Sequence, residues 1–543
     1  MSDIVFQSNY IFCTETKTCR RGFIAVDGNK IAHIGPLEEV EAFITPTTKI
    51  YYYPEQMIIP GFIESHMHFY KAALVNAGRI KLVHGNSEEE CVCNLISQVK
   101  KSAFTYQDGQ WIVSKGWYLP SWDQKILPTC HSLDAAYPKN PVAMIADDGH
   151  TLWVNSLALR LLNLTRESIP PEGGEFVKDE NGELTGVLKE TGAMLFIKTV
   201  CKALEGDIIN DYETLMQRQA SYGLTSFADM ALLSTDGDGL VYDQFFYELY
   251  KQRRLLQRVH MFPTIMMNID ELLEKREKYH FGTLQFSGGK QFYDGVTSTH
   301  TAYLKKPYTN AYYSEDIGNL TVPKEMMNQY VMNAAENDIP VRIHTIGDEA
   351  IKLALDAFEA AIDKYGPLKH GHYTLEHLEL SDHTDIERMA SLGVVSSVQP
   401  SHPFLDIDSI EETVGPERVK RMWAFKDMVD TGVVLAFGTD APVVVNITPL
   451  DNIYFAVTRQ TKEGHPVGGW LPEQRLSVAD AIIAHTYGAS YTIGRESDLG
   501  TLEEGKLADI TVLDRNILQC SVDEIQDTHV LLTMMDGKIN YQK

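Results

Sequence analysis

The alternation of apolar and polar positions divides the chain into two β-rich ends and a long middle of different character. Short apolar runs near the start alternate with turns, as in IVFQSNYIF and GFIAVDGNKIAHIG, where DGNK is a hairpin signal. The runs GTLEEGKLADITVLD and HVLLTMMDGKINYQK near the other end have the same character. We therefore predict one small β-sandwich domain made from residues 1–58 and 488–543.

The middle of the chain alternates continuous apolar runs with helical sequence such as VPKEMMNQYVMNAAEN. This alternation indicates a parallel sheet that is buried on both faces. Counted from MIIPGFIESHMHF onward there are eight such runs, the number of strands in a TIM barrel. The predicted fold class is α/β, with a TIM-type eight-stranded barrel formed by residues 59–69 and 216–487. The other seven runs are GLTSFADM, QRVHMFPTIMM, LQFSGGKQFYDG, IPVRIHTIGD, HYTLEHLEL, GVVSSVQPSH and GVVLAFGTDAP.

This count leaves residues 70–215 as a large insertion after the first barrel strand. Loops that follow barrel strands lie over the active-site face, so we predict that the insertion forms a lid or substrate domain. Tryptophans in it could line an apolar pocket, although tryptophans are as often plain core residues. The candidate substrate contacts are His150, Trp153, Asn155, Trp117 and Trp122 in the insertion, with Asp294 and Gln399 just beyond barrel strands. His402 and Asp348 near the same face have either a supporting or a structural role.

Two histidines separated by one residue end the first predicted barrel strand, in the segment IIPGFIESHMHF. Side chains alternate between the faces of an extended chain, so His66 and His68 point the same way. Such a pair is either two ordinary core or surface histidines or one half of a metal site, since neutral imidazole is the commonest metal ligand.

Three further polar residues come at the ends of other apolar strands, namely His344, His377 and Asp440. A single histidine on a strand is usually a satisfied core residue. In a parallel barrel, however, the carboxyl ends of all strands converge on one face. Together with His66 and His68, these residues form a cluster suited to zinc or a similar divalent ion, with one or two ions per subunit.

Lys290 lies within another apolar strand, in GGKQFYDG. A buried lysine is costly unless its charge is paired or neutralised. The lysine is therefore salt-bridged, or extends to solvent, or is carboxylated by carbon dioxide to a carbamate that bridges two metal ions.

The order of these features resembles the amidohydrolase superfamily. GFIESHMHF, GGKQFYDGVTSTHTAY, IHTIGDEAI, SVQPSHP and DLGTLEEGKLADITVLD are similar to the branch that contains YtcJ-like proteins and N-substituted formamide deformylases. The inserted DDGHTLWVNSLAL is similar to that branch as well, so the resemblance extends over nearly the whole chain.

The resemblance implies how the cluster divides between two metal ions. His66, His68 and Asp440 would hold the more buried ion, His344 and His377 the second, and carboxylated Lys290 would bridge them. A single-metal site with unmodified Lys290 is left open.

The expected chemistry is attack of metal-activated water on an amide-type carbonyl, with Asp440 as the catalytic proton acceptor. An amide or N-substituted formamide is the favoured substrate. A cyclic imide, lactam, ester or deaminase substrate on the same site is the alternative, and a non-catalytic regulatory protein is a third hypothesis.

Composition narrows the class of partner. A net charge of −26 disfavours nucleic acid and anionic membranes, although it also serves solubility. Seven scattered cysteines give no disulfide framework, and no apolar run approaches the roughly 20 residues of a membrane helix. The start MSDIVFQSNYIF lacks the pattern of a signal peptide. We therefore expect a cytoplasmic enzyme with a small-molecule substrate, and a homodimer is left open.

Overall fold

The computed structural model describes residues 2–102, 104–171, 173–204, 206–234 and 236–543. The strands are β1 Ile4–Cys13, β2 Thr18–Asp27, β3 Lys30–Gly35, β4 Lys49–Pro60, β5 Phe62–Met67, β6 Ile80–Leu82, β7 Ile112–Trp117, β8 Val142–Ala146, β9 Thr151–Val154, β10 Gly174–Lys178, β11 Leu184–Glu190, β12 Leu224–Met230, β13 Arg258–Phe262, β14 His280–Phe281, β15 Leu284–Phe286, β16 Gly289–Phe292, β17 Val341–Thr345, β18 Thr374–His377, β19 Val395–Val398, β20 Leu435–Phe437, β21 Ile510–Leu513, β22 Val530–Met535 and β23 Lys538–Gln542. The α-helices are α1 Phe69–Asn76, α2 Glu88–Lys100, α3 Cys130–Ala136, α4 Ser156–Leu161, α5 Thr191–Lys202, α6 Ile208–Ser221, α7 Asp243–Lys251, α8 Asp270–Lys278, α9 Lys324–Glu336, α10 Asp348–Tyr365, α11 His383–Leu392, α12 Pro403–Asp406, α13 Ile410–Val414, α14 Pro416–Val419, α15 Phe425–Thr431, α16 Pro449–Thr458, α17 Val478–Ala484 and α18 Tyr487–Thr492.

Both ends of the chain pair in one seven-stranded sheet, in the order β23-β22-β21-β4-β1-β2-β3. Cross-strand partners place apolar side chains on a shared face: Phe6 opposes Ile24, and Val512 lies between Ile58 and Leu532. These five side chains are buried together, which is how period-two alternation stabilises a sheet. The two termini thus share a sheet, while the predicted sandwich arrangement stays a prediction.

The central part of the chain forms two sheets of mostly parallel strands, β14-β15-β13-β12-β5 and β16-β17-β18-β19-β20. All seven residues of β12 are buried, as expected for a parallel strand covered on both faces. Isolated parallel bridges join Met67 to Ala441 and Thr264 to Lys290, where the edges of the two sheets meet. The fold is therefore of the α/β TIM type.

The predicted fourth barrel strand is interrupted between β15 and β16. The half before the break pairs with β13, and the half after it pairs with β17 in the other sheet. Gly288 at the break has a φ of +154°, and a Cβ there would lie 2.5 Å from the carbonyl oxygen of Pro340. Only glycine permits this close backbone approach, so the sequence GG marks the point where the chain passes from one sheet to the other.

The insertion contains its own six-stranded sheet, in the order β10-β11-β9-β8-β7-β6. Its core is built from Trp117, Trp122, Leu133, Met144 and Trp153. The predicted boundary at residue 215 lies inside α6, which also contacts α1, β12 and the terminal sheet. The domain limits remain a prediction.

None of the helices in the described ranges is long and apolar enough to span a membrane.

Candidate metal centre

His66 lies near the end of β5 with one ring nitrogen fixed. Its Nδ1 is 2.7 Å from Oε2 of Glu376, and Arg342 Nε donates to the other oxygen of that carboxylate. Because the ionised carboxylate only accepts, Nδ1 of His66 is the donor and Nε2 keeps a free lone pair. Nε2 is buried and has no hydrogen-bond partner within the described residues.

His68 is oriented in the same way by the backbone. Its Nδ1 donates to the carbonyl oxygen of Met230 at 2.8 Å, and its Nε2 lies 3.1 Å from Oδ1 of Asp440. The predicted common direction of the two histidines is thus present, since Nε2 of His66 lies 3.5 Å from the same oxygen.

His377 and His344 bring two more imidazoles to this point. Nδ1 of His377 donates to Oε1 of Gln399 at 2.8 Å, and Nε2 of His344 donates to the carbonyl oxygen of Gly295 at 3.2 Å. The remaining ring nitrogens, Nε2 of His377 and Nδ1 of His344, are buried without a partner in the described chain. The His377 ring centre is 4.3 Å from that of His344 and 5.0 Å from that of His66.

Asp440 completes a compact group. One ligand atom from each of His66, His377 and Asp440 lies within 4.8 Å of the others. Asp440 has a φ of +55° and His377 a φ of +69°, conformations that residues other than glycine seldom adopt and that are typical of functional sites.

Glu64 ties the first and last of these strands together. Its Oε1 accepts from the backbone NH groups of His66 at 3.0 Å and of Thr439 at 2.8 Å. The buried carboxylate therefore fixes the backbone beside His66 relative to the backbone beside Asp440.

Lys290 lies in β16 and is fully buried. Its ammonium nitrogen is 4.9 Å from the centre of the Phe292 ring and has no hydrogen-bond partner among the residues described. Burial lowers the pKa of this lysine to about 8.

These residues fit a divalent metal ion. Buried polar atoms in folded proteins are nearly always hydrogen-bonded. The candidate ligands nevertheless carry five buried atoms without a hydrogen-bond partner among the described residues: His66 Nε2, His344 Nδ1, His377 Nε2, Asp440 Oδ1 and Lys290 Nζ. Burial lowers the pKa of His66 to about 4 and holds those of His344 and His377 well below the ordinary value. The imidazoles are therefore neutral, the form that binds metal, and nitrogen with carboxylate oxygen is a donor set that zinc accepts.

A pocket opens beside this centre. Its polar lining includes His68, His150, His344, His377, His402 and Asp440, and its apolar lining includes Leu232, Leu233, Phe292 and Trp423. Such a mixture of apolar walls and a few polar groups is typical of a small-molecule site.

Three of the candidate substrate residues lie at or directly behind the pocket. His150 lines it, and its Nδ1 is 2.7 Å from Oε2 of Glu190. Gln399 instead orients His377, as described above. Asp294 is fully buried and accepts from the backbone NH groups of Ile346 and Gly347, so it fixes the loop after His344.

The other four candidates are placed in the insertion and not at the pocket. The indole NH of Trp117 donates to Met144 and that of Trp153 to Thr129, and Trp122 packs in the same core. Asn155 caps α4, and its side chain also binds backbone groups around β8. Packing and capping account for all four, so substrate contact is not what these side chains provide in this structure.

His402 and Asp348 differ in position. His402 lines the pocket, with Nε2 3.7 Å from Oδ2 of Asp440. Asp348 accepts from the backbone NH of Lys305 and is not among the described lining residues.

Sequence reasoning missed Glu376 and Glu190, the carboxylates that hold His66 and His150. For Glu376 the available signal was an acidic residue directly beside a histidine in an apolar strand, HYTLEHLEL. Strict alternation would have placed Glu376 and His377 on opposite faces, but the positive φ of His377 ends the alternation there.

Known proteins are similar to this chain over nearly all of its length. A family model described as Amidohydrolase family matches residues 55–541. The protein LONG AFTER FAR-RED 3 of Arabidopsis thaliana is 28% identical over 100% of this chain and 92% of its own length. YtcJ of Bacillus subtilis (strain 168) is 26% identical over 99% of both chains, and the N-substituted formamide deformylase of Arthrobacter pascens is 23% identical over 100% and 99%.

A solved structure supports the same assignment. The chain superposes on a metal-dependent hydrolase from Pyrococcus horikoshii OT3, described as uncharacterized, with a TM-score of 0.71 and 26% identity. The match covers 96% of this chain and 99% of the other. The family match covers most of the chain, and the chain carries the histidines described above. This chain therefore belongs to the amidohydrolase family, in its YtcJ-like branch.

Proposed function

We propose that the protein is a metal-dependent hydrolase that cleaves a carbon–nitrogen bond of the amide or N-substituted formamide type in a small molecule. The observation that carries this proposal is the group formed by His66, His377 and Asp440, whose buried ligand atoms lie within 4.8 Å of one another beside a pocket. The N-substituted formamide deformylase relative supports the type of bond, although at 23% identity it does not define the substrate.

The proposed histidine and aspartate ligands are those found at the ends of the apolar strands. His66, His68 and Asp440 would hold one divalent ion, with zinc as the expected ion, and His344 and His377 a second. Lys290 would join the two after carboxylation, because its buried ammonium has no hydrogen-bond partner among the described residues and its pKa of about 8 leaves part of it as the neutral amine that reacts with carbon dioxide. The alternative is a site with one metal ion and an unmodified Lys290.

The residues around this centre are arranged to move one proton. A divalent ion in this position lowers the pKa of water and polarises the substrate carbonyl. Asp440 has Oδ1 near His66 and His68 and Oδ2 near Nε2 of His402, so its carboxylate lies between two groups of histidines. It can take the proton of the attacking water and deliver it to the leaving nitrogen.

His150 supplies a further polar group in the lining of the pocket. Glu190 fixes its Nδ1–H, and Thr299 and Thr301 donate to the second oxygen of Glu190. The ring centre of His150 is 6.2 Å from that of His344. We assign His150 a hydrogen bond to the substrate, and we assign the insertion that carries it the role of excluding water from the pocket.

A substrate screen tests the proposal. Protein loaded with zinc is assayed against N-formyl, N-acyl and cyclic amides, beside His66→Ala and Asp440→Asn variants. We expect turnover of at least one N-formyl or N-acyl compound, abolished in both variants. Wild-type protein that binds no zinc, iron or manganese, or variants with unchanged activity, would refute the proposed site.

A further inference from the structure

A second buried lysine lines the pocket, and the chemistry proposed above does not use it. Lys71 lies in the first turn of α1, three residues after His68, and is 2% exposed. Its ammonium nitrogen is 4.0 Å from the position that a Cβ would take on Gly149, so it faces the turn that leads into His150. In the described part of the chain, no carboxylate oxygen lies within 4.0 Å of it and no acceptor forms a hydrogen bond with it.

Lys115, another buried lysine of the insertion, has hydrogen-bond partners within the chain. Lys115 is fully buried, and its Nζ donates to Oδ1 of Asp147 at 2.7 Å and to the carbonyl oxygen of Val443 at 2.8 Å. A buried ammonium normally has such partners because removing it from water without compensation is costly. Lys71 forms no such hydrogen bond within the described part of the chain and lines the pocket, so its ammonium is available to an acceptor that enters the pocket.

The acidic residues of the pocket are already engaged. Asp147 pairs with Lys115, and Oδ1 of Asp148 accepts from the backbone NH of His150. Glu379 lies 3.8 Å from Nδ1 of His402, and Asp440 belongs to the metal centre. Lys71 is therefore the lysine of the described pocket lining that has neither an ion pair nor a hydrogen bond, although the charges of Asp440 and Asp148 act on it from a greater distance.

We propose that Lys71 binds a carboxylate of the substrate, so that the compound hydrolysed is an N-formyl or N-acyl derivative that carries a single negative charge. The choice of reaction rests on the proposed function, whereas the anion site rests only on the surroundings of Lys71. Asp147, Asp148 and Glu379 line the same pocket and repel every anion, but they repel a dianion such as phosphate more strongly than a monoanion, so a carboxylate is the anion expected beside Lys71.

Two further features agree with this assignment. Burial lowers the pKa of Lys71 to about 8, so most of the side chain is still protonated at neutral pH. Leu232, Leu233 and Phe292 offer apolar walls for the remainder of the substrate. The resulting ligand has an apolar body and a carboxylate, with the scissile bond at the metal centre.

A binding experiment tests the anion site without turnover. Hydrocinnamate and hydrocinnamamide have the same shape and differ in charge, and calorimetry on zinc-loaded protein measures their affinities. We expect hydrocinnamate to bind about tenfold or more tightly, a Lys71→Met variant to lose this preference, and Lys71→Arg to keep part of it. Lys189→Met is the matched control, because Lys189 pairs with Glu175 and does not line the pocket.

Three results would overturn the assignment. One is equal affinity of the wild type for both ligands. Another is undiminished hydrocinnamate binding in folded Lys71→Met, which would place the carboxylate on the metal instead. If Lys71→Met does not fold, the wild-type comparison and Lys71→Arg decide, and loss of the preference in folded Lys71→Arg would count against recognition of charge.

A kinetic comparison then connects the anion site to catalysis. N-formylphenylalanine and N-formylphenethylamine differ only in the carboxylate. We expect Lys71→Met to raise KM for the first about tenfold or more and to leave the second unchanged. Equal losses on both substrates would indicate a structural role and overturn the proposal. If the wild type hydrolyses neither compound but still prefers hydrocinnamate, the anion site stands and the proposed hydrolysis of such compounds fails.

Discussion

The carboxylate of Glu376 holds Nδ1 of His66 at 2.7 Å while its other oxygen accepts from Arg342. All three side chains are at most 1% exposed. One acidic residue therefore both orients the first metal-ligand candidate and neutralises a buried guanidinium. A substitution of Glu376 should therefore affect both metal binding and the stability of the fold.

We predict that Glu376→Gln weakens zinc affinity about 10–100-fold, because the neutral amide orients His66 less strongly. Competition with a chelator of known affinity measures this change. The variant also leaves Arg342 buried without its counter-charge, which we expect to lower the free energy of unfolding of the metal-free protein by about 3–5 kcal/mol. Glu417→Gln, at an exposed pair with Lys420, is the control, and zinc binding as tight as wild type in Glu376→Gln would contradict the orienting role.

Lys290 gives a second prediction. If carbon dioxide converts its buried amine to a carbamate, Lys290→Ala removes a bridging ligand, and we expect loss of most activity with partial recovery on addition of formate or acetate. Intact-mass measurement of the wild type under gentle conditions should show one added carbon dioxide. Full activity of Lys290→Ala without any added acid would eliminate the bridge and favour the single-ion site.

Much of this arrangement follows from the sequence because parallel strands bring distant residues to one edge. His66, His68, His344, His377 and Asp440 were each predictable from their position at the end of an apolar run. Which partner each histidine has was not predictable, since Glu376, Gln399 and Met230 reach the histidines through tertiary packing, and the position of Glu376 beside His377 does not show that it contacts His66. The division of the fourth barrel strand at Gly288 was missed for a similar reason: the approach of Pro340 that requires glycine comes from a different strand.

For the tryptophan-rich segments the sequence left two interpretations open, a pocket wall and a plain core. Their composition suggested a substrate pocket, yet Trp117 and Trp153 are buried in the core of the insertion with their indole NH groups bonded to the backbone. Large aromatic side chains contribute most to a small separate core, and the inserted sheet needs such a core of its own. His150 and other non-tryptophan neighbours, such as Tyr118 and Asp148, are the residues of these segments that line the pocket.

The dyad of His150 and Glu190 provides a third prediction. Glu190→Gln keeps the shape of the side chain but removes the charge that fixes the imidazole, so we expect kcat/KM to fall about tenfold or more. The zinc content should be unchanged, because neither residue is in the proposed ligand set. Glu175→Gln, on the exposed edge of the same sheet, is the matched control. An equal fall in both variants, or loss of zinc in Glu190→Gln, would contradict a role in the pocket.

The contact between strand β13 and the terminal sheet should respond to acid. Arg258 of β13 is 1% exposed and pairs with Asp509, directly before β21, and with Asp536, in the turn after β22. Partial burial alone would raise the pKa of Asp536, but the hydrogen bond and the charge of Arg258 lower it below its ordinary value. A carboxylate with a lowered pKa stabilises the fold above its unfolded pKa, near 4, and the benefit disappears as the pH falls through the folded pKa.

We therefore predict that Asp536→Asn is less stable than wild type at pH 5 to 7, and that the difference shrinks as the pH falls below about 4. Urea unfolding of the metal-free proteins across this pH range measures the difference. Glu417→Gln should show no such pH-dependent difference, because its side chain is 85% exposed. A constant difference between wild type and Asp536→Asn at every pH would mean that the side chain acts through packing or neutral hydrogen bonds, and that the charge of Arg258 does not depend on Asp536 for compensation.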